Sequence, residues 1–382
     1  GSLENKYSYF SDKLNIPFFY SGIFSILSCI YITFIQTDKL TGYSHYLTWI
    51  GLFNLLPFFL CFWVFQSFTF QTNTKKIIGI CLILGCIPII IAGILQYFFE
   101  IYGPFQFLNG IITWHLKDAD GYQGMSSIFS NSNYTGVWLN LVTPFSLTYL
   151  LEKHKSIWER IFSYMINLLI ILCTFLTFSR AAWLGLVLSL FLILGKRFYK
   201  WIFFVLLFIS AIILISLGNF PNENIINYSR SFVPEAIWNY KFKEINILDF
   251  DNILRLKIWF FALKSITSKP LWGWGAGAFP ILFQNQENIF FGHTHNLLLE
   301  LAFNYGIPTA LFFMIPLFFL ILKSMRLILI SKLKLLENNY DRAWITSNFL
   351  IFISQLYDVQ YFDIRLSLMF WILFAGTRNI IY

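Results

Sequence analysis

The feature that most constrains this chain is a succession of long apolar runs separated by short basic clusters. A helix needs about 20 mostly apolar residues to cross a bilayer. Such runs lie near residues 16–36, 46–66, 77–99, 134–151, 161–178, 181–195, 199–217, 303–323, 343–357 and 364–381. The pair over 161–195 is nearly continuous, interrupted only at Ser179-Arg180. Only 12% of the residues are charged and 57% are hydrophobic, against roughly 25% charged in soluble domains. A chain this apolar could not cover itself with polar groups in water. The expected fold is an all-α polytopic integral membrane protein of about ten transmembrane helices, or up to twelve, with a large and partly helical periplasmic loop.

Charge gives the direction. With the N-terminus inside, the cytoplasmic segments hold Lys6 and Lys13; Lys75 and Lys76; Lys153, Lys155 and Arg160; Lys196, Arg197 and Lys200; Lys323, Arg326, Lys332, Lys334 and Arg342; and Arg378. The short outer loops hold little beyond Lys39, Lys117, Arg180 and Arg365. This is the bias that orients membrane helices. It explains the net charge of +8 without nucleic acid, which is not an expected partner; membrane lipids are. The expected organisation is one integrated domain: N-terminal helices over 1–218, a periplasmic loop over 219–294, and C-terminal helices over 295–382.

The cysteines, Cys29, Cys61, Cys81, Cys86 and Cys173, all sit inside apolar runs without metal-ligand spacing, so they read as small core residues. No cleavable signal peptide is evident, and Gly1-Ser2 reads as a tag remnant ahead of a native start that is absent. The sequons at Asn133 and Asn227 carry no assignment.

This topology gathers the unusual polar residues on the outer face. In the large loop, Asp251-Asn252 can cap a helix through Ile253–Ile266. Its mixed sequence, I-L-R-L-K-I-W-F-F-A-L-K-S-I, suits a helix lying at the membrane interface. Lys269-Pro270 ends it. The W-G-W-G-A-G stretch that follows (Trp272–Gly277) reads as a turn, not a dinucleotide fingerprint, since no strand precedes it.

Arg180, in T-F-S-R-A-A-W-L-G, is either a snorkelling anchor or part of an anion site, for which a planar guanidinium is well suited. Arg255 near the start of the loop helix is either surface decoration or a second clamp on the same anion, and Arg230 is a weaker candidate of that kind. His293 and His295 occur in G-H-T-H-N-L-L-L-E, where the chain re-enters the membrane. They read as structural residues, metal ligands or a general base. The sequence supplies no carboxylate pair or third histidine beside them, so no metal and no cofactor are expected. Glu300 either orients a ring nitrogen or pairs with a basic group. Asp358, Asp363 and Arg365, in Y-D-V-Q-Y-F-D-I-R, form either a salt-bridge set holding two helices or part of an acceptor site.

At these residues the chain resembles the O-antigen ligase and polysaccharide polymerase superfamily, bacterial envelope glycosyltransferases that use lipid-linked glycans. Four segments carry the resemblance, which covers roughly residues 75–381. They are F-S-N-S-N-Y-T-G-V-W-L with Pro144, T-F-S-R-A-A-W-L-G, the loop helix with W-G-W-G-A-G, and the histidine segment. The last reads His295-Asn296, nine residues, Gly306, two residues, Thr309, and looks like the ligase family's histidine signature. The Asp358–Arg365 segment is similar to cyanobacterial members. Family members often have about twelve spans, two more than the sequence shows.

The resemblance implies a multi-pass protein of the bacterial inner membrane with a periplasmic active face. The donor would be an undecaprenyl-diphosphate-linked glycan and the acceptor a lipid A–core hydroxyl or another glycan. It assigns Arg180 and Arg255 to the diphosphate and His295 to the general base, with His293, Asn296, Glu300, Asp358, Asp363 and Arg365 as supporting candidates. The reaction would be metal-independent and inverting. Two alternatives keep the chemistry and change the acceptor: a polysaccharide polymerase, or a protein O-oligosaccharyltransferase. A third, a transporter of inorganic carbon or another solute, would place ionisable residues near the bilayer midplane, where this sequence has almost none.

Overall fold

In the computed structural model the described residues are 9–36, 41–69, 71–110, 112–114, 124–129, 131–152, 156–195, 254–329 and 339–382, with isolated positions between 203 and 230. The expected span at 199–217 lies outside the described residues apart from such positions. So do the Asp251-Asn252 cap, the sequon at Asn227, and Lys6, Lys39, Lys117, Lys153, Lys155, Lys196, Arg197, Lys200, Lys332 and Lys334.

The described chain is almost wholly helical. In order the helices are α1 (Asn15–Ile30), α2 (Tyr46–Leu52), α3 (Leu56–Phe68), α4 (Thr72–Phe99), α5 (Ser132–Leu150), α6 (Ile157–Leu176), α7 (Arg180–Leu194), α8 (Leu254–Ser268), α9 (Ala278–Glu287), α10 (Leu297–Tyr305), α11 (Ile307–Leu329), α12 (Asn339–Ser354) and α13 (Ile364–Ile381). A two-stranded antiparallel hairpin, Phe105–Phe107 with Ile112–Trp114, follows α4.

Among the described residues, six helices are long and apolar enough to cross a membrane: Asn15–Ile35, Tyr46–Phe68, Asn73–Phe99, Ile157–Leu176, Ile307–Leu329 and Ile364–Ile381. They correspond to six of the ten expected runs, and the fuller count is not reached. Three other runs do form helices, but α5, α7 and α12 have 19, 15 and 16 residues. Position explains the difference for α5 and α12. Thirteen of the 19 residues of α5 and 11 of the 16 of α12 are buried, so protein rather than lipid surrounds most of each helix, and some of their polar side chains find partners there. Ser146 Oγ lies 3.0 Å from Asn167 Oδ1 on α6, and Ser347 Oγ donates to the Leu141 carbonyl at 2.7 Å. The outer helices instead turn apolar side chains outward, among them Phe34, Leu168, Ile315 and Leu322.

The N-terminal helices pack on the C-terminal ones. Phe18, Phe59 and Phe62 form an aromatic cluster with Phe313 and Trp371, and Ser21 Oγ donates to the Thr309 carbonyl. Polar contacts concentrate at the two ends of the bundle. At one end Arg378 pairs with Asp12 at 2.7 Å, Lys75 with Asp341 at 2.5 Å and Lys76 with Glu152 at 2.9 Å. The histidine segment lies at the other.

Two expected helices are broken. The run at 46–66 divides into α2 and α3, with Pro57 in the first turn of α3. The run at 303–323 starts at Ile307, because Gly306 stops α10 at φ +91°. The W-G-W-G-A-G turn fills that break. Trp274 N–H donates to the Phe303 carbonyl at 2.8 Å, Gly275 N–H to Asn304 at 3.0 Å, and Ile307 N–H to Pro270 at 2.8 Å. The turn thus satisfies the carbonyls that a helix end leaves open. Backbone approaches so closely that a Cβ on Gly306 would stand 2.0 Å from the Leu271 carbonyl oxygen.

Helix packing at α12–α13 gives a stability test. A Cβ on Gly376 would lie 2.4 Å from the Trp344 ring, whereas one on Gly85 meets nothing within 4 Å. Gly376→Ala should destabilise the detergent-solubilised protein by about 1–3 kcal/mol, while Gly85→Ala should leave it unchanged or raise it by up to ~1 kcal/mol. Thermal unfolding of the two variants beside the parent measures both.

Candidate functional site

The site is built on the first turn of α10. Asn296 caps that helix: its side chain accepts from Leu299 N–H at 3.1 Å, and its Nδ2 donates to the Leu356 carbonyl at 2.8 Å. Leu297 N–H donates to the Gln355 carbonyl at 2.9 Å. The turn after α12 is therefore stitched to the start of α10, 60 residues earlier in sequence.

That stitching brings Asp358 to the histidines. His295 Nδ1 lies 3.1 Å from Asp358 Oδ1, and His293 Nε2 lies 3.9 Å from the same oxygen. The imidazole centroids are 4.2 Å apart, and His295 N–H donates to His293 Nδ1 at 3.2 Å. Asp358 is 6% exposed at its side chain, whereas His295 keeps 23% and His293 20%. The carboxylate is thus screened from solvent while the rings remain reachable. His295 has φ +55°, a conformation that costs a residue with a Cβ roughly 1–2 kcal/mol. The surrounding hydrogen bonds hold it there. Phe291 and Phe362 flank the two rings.

Burial alone would raise the Asp358 carboxyl. The hydrogen bond with His295, the two imidazoles and the Val359 N–H together hold it below the usual carboxylate range. Burial lowers His293 to about 4, with His295 adding to the effect and Asp358 opposing it. Tyr357, next in the chain, is pushed up to about 12 by burial and Asp358, with Arg255 acting in the opposite sense. Arg255 is exposed near the start of α8, within electrostatic reach of Tyr357.

Arg180 is the first residue of α7, behind the cap Ser179. It stands at the same end of the bundle. On α5, a Cβ on Gly136 would touch Ala182, while Tyr134, two residues earlier, donates to the Val359 carbonyl at 2.9 Å. Tyr134 lies within electrostatic reach of Asp358 and Asp363.

Glu300 is placed otherwise than expected. It meets neither a histidine ring nor a basic group. Its Oε2 accepts from Thr294 N–H at 2.9 Å and its Oε1 from Asn304 Nδ2 at 2.9 Å. Fully buried, its carboxyl is raised by burial, against these hydrogen bonds and His295. It fastens the backbone between the histidines, and Asp358 meets the ring. The trio at 358–365 also divides. Asp363 caps α13 and pairs with Arg365, whose Nη1 donates to the Ile128 carbonyl at 2.9 Å. That pair ties α13 to the segment before α5 and stands apart from the histidines. Arg230 donates through Nε to the Ser216 carbonyl at 3.2 Å.

His293, His295 and Asp358 offer three atoms within 4.8 Å of one another, a grouping that could hold a metal ion. The sequence offers Glu300 as the acid nearest the histidines, whereas the acid that meets the ring, Asp358, lies 63 residues from His295. The composition of Y-D-V-Q-Y-F-D-I-R flagged the segment, but nothing in it named its partner.

Residues 165–314 match the O-antigen ligase family model. That stretch, about two fifths of the chain, is similar to the O-antigen ligase family. No curated protein matches the chain. The matched stretch runs from within α6 to within α11 and contains Arg180, Arg255, His293, His295 and Glu300. Asp358 lies beyond it and folds back onto it.

The lowered His293 predicts a pH response. The unfolded chain takes up this proton near pH 6.5, the folded protein only near 4. Stability from this site is therefore complete above about pH 6.5 and falls as pH drops from there towards 4. NMR titration of labelled imidazoles should place His293 near 4; a midpoint of 6.5 or above would contradict its burial.

Proposed function

We propose that this protein is a metal-independent, inverting glycosyltransferase of the bacterial inner membrane. It moves a glycan from undecaprenyl diphosphate to an acceptor hydroxyl on the periplasmic face, with lipid A–core as acceptor. The observation that carries the reading is the His295–Asp358 pair, seated on the stretch similar to the O-antigen ligase family, at the bundle end that also bears Arg180 and Arg255.

The ionised Asp358 keeps the His295 proton on Nδ1 and leaves the Nε2 lone pair free. Nε2 takes the proton of the acceptor hydroxyl as its oxygen attacks the anomeric carbon. The bond from that carbon to the diphosphate oxygen breaks, and the electron pair leaves with the diphosphate. Arg180 and Arg255 hold the charge that develops there, a role guanidinium forks perform without reorganisation. A single displacement inverts the anomeric centre. His293, neutral at working pH, orders the strained turn by accepting the His295 N–H.

A second reading is favoured by the three clustered donors: a divalent ion held by His293, His295 and Asp358 would activate the acceptor in place of a base. One contact argues against it. His293 Nδ1 accepts a hydrogen bond from His295 N–H, so the neutral ring carries its proton on Nε2, the nitrogen nearer Asp358, and offers no lone pair there.

Transfer by purified protein separates these readings. His295→Ala should lower the rate by about 10²–10⁴-fold, and Arg180→Ala or Arg255→Ala by roughly 10²–10³-fold. Asp358→Asn should lower kcat and leave the acceptor KM nearly unchanged. Full activity in His295→Ala would remove the base assignment. Chelator treatment should leave the wild-type rate unchanged; a loss restored by zinc would establish the metal reading instead.

A further inference from the structure

A cleft of about 540 Å³ lies between α8 and α9, within the range of roughly 300–1,000 Å³ typical of small-molecule sites. Leu256, Phe260 and Phe261 form its apolar side; Lys257, Lys264, Gln286 and Glu287 supply its polar groups. Lys257, Phe260 and Lys264 fall at i, i+3 and i+7 on α8, so they form one stripe. Phe260 is 74% exposed, with Lys257 and Lys264 on the same stripe. Across the cleft Glu287 pairs with Lys257 at 2.5 Å and accepts from Gln286 Nε2 at 3.3 Å.

We infer that this cleft is a saccharide subsite, holding sugar residues of the glycan at a distance from the bond made at His295. Its substrate class rests on the glycan-transfer reading. The lining suits a sugar: hydroxyls donate and accept, and the cleft offers ammonium donors, a carboxylate acceptor and an amide that does both. The exposed Phe260 ring offers an apolar face to the C–H side of a pyranose. An anionic lipid headgroup fits less well, because the two lysines stand against the Glu287 carboxylate and one is already paired with it.

The location agrees. α9 ends at Glu287, six positions before His293, and α8 starts beside Arg255. Phe260 lies five positions beyond Arg255, about 7–8 Å along the helix and roughly 140° around it. A glycan with its diphosphate at Arg255 would have to wrap round α8 to enter this cleft, so the cleft would hold sugar residues farther along the glycan.

The test is binding. Full-length protein in nanodiscs is titrated with lipid-free oligosaccharide released by mild acid from the surface polysaccharide and core of the producing cells, and separately with phosphatidylglycerol vesicles. Wild type and His295→Ala should bind the oligosaccharide equally, whereas Phe260→Ala and Lys264→Ala should each weaken it by roughly three- to tenfold, the size of one lost ring or polar contact. Both side chains are exposed, so neither change threatens folding. Undiminished oligosaccharide binding in both variants, absence of binding to wild type, or a loss confined to vesicle adsorption would overturn the subsite. Transfer assays on the same samples keep the readings apart. A wild type that binds sugar through these residues and transfers nothing overturns the catalytic proposal alone. A wild type that transfers, with unaltered binding in the variants, overturns the subsite alone.

Discussion

Every buried backbone group left open by a helix end has to be answered inside the protein, because an unpaired buried polar group costs about 1–3 kcal/mol. The histidine end is organised around that requirement. α10 is a short helix whose carbonyls at one end meet the W-G-W-G turn and whose amides at the other meet Asn296 and the Gln355 carbonyl. Glu300 spends its carboxylate on Thr294 N–H and Asn304, in the layer beneath the two imidazoles. Those contacts leave His295 little freedom, which is how a non-glycine residue persists at φ +55°.

The same stitching sets the electrostatics. Asp358 comes to His295 because the turn after α12 is bonded to the first turn of α10, and it stays ionised because both rings and the Val359 N–H face it. Tyr134 on α5 closes on the adjacent carbonyl, so three separate stretches of chain share one small region. Arg365, alike in charge to Arg180, is taken up by Asp363 and the Ile128 carbonyl. Arg180 and Arg255 are exposed.

Much of this was legible in the sequence, for a physical reason. Membrane helices announce themselves by length and hydropathy, so the six runs that form long apolar helices were readable to within several residues, but not the breaks at α2–α3 and at Gly306. Interior helices were harder, since α5 and α12 carry asparagines, threonines and serines that only neighbouring helices make tolerable. The helix over 254–268 was visible in its pattern, and the resemblance to O-antigen ligases in the histidine segment. Pairings were not visible. No local rule connects Asp358 to His295 across 63 residues, and Glu300, the nearer acid, was the more natural guess. It failed because α10 turns that carboxylate inward, beneath the rings rather than towards them.

The claim on which the account rests is that this bundle end transfers a glycan from a lipid diphosphate to a separate acceptor. The most direct measurement incubates purified protein with undecaprenyl-diphosphate-linked glycan, with and without lipid A–core, and follows both lipids by mass. The account predicts glycan appearing on lipid A–core with release of undecaprenyl diphosphate. Lengthening of the donor alone would make the protein a polymerase, and no turnover in either tube would contradict the account.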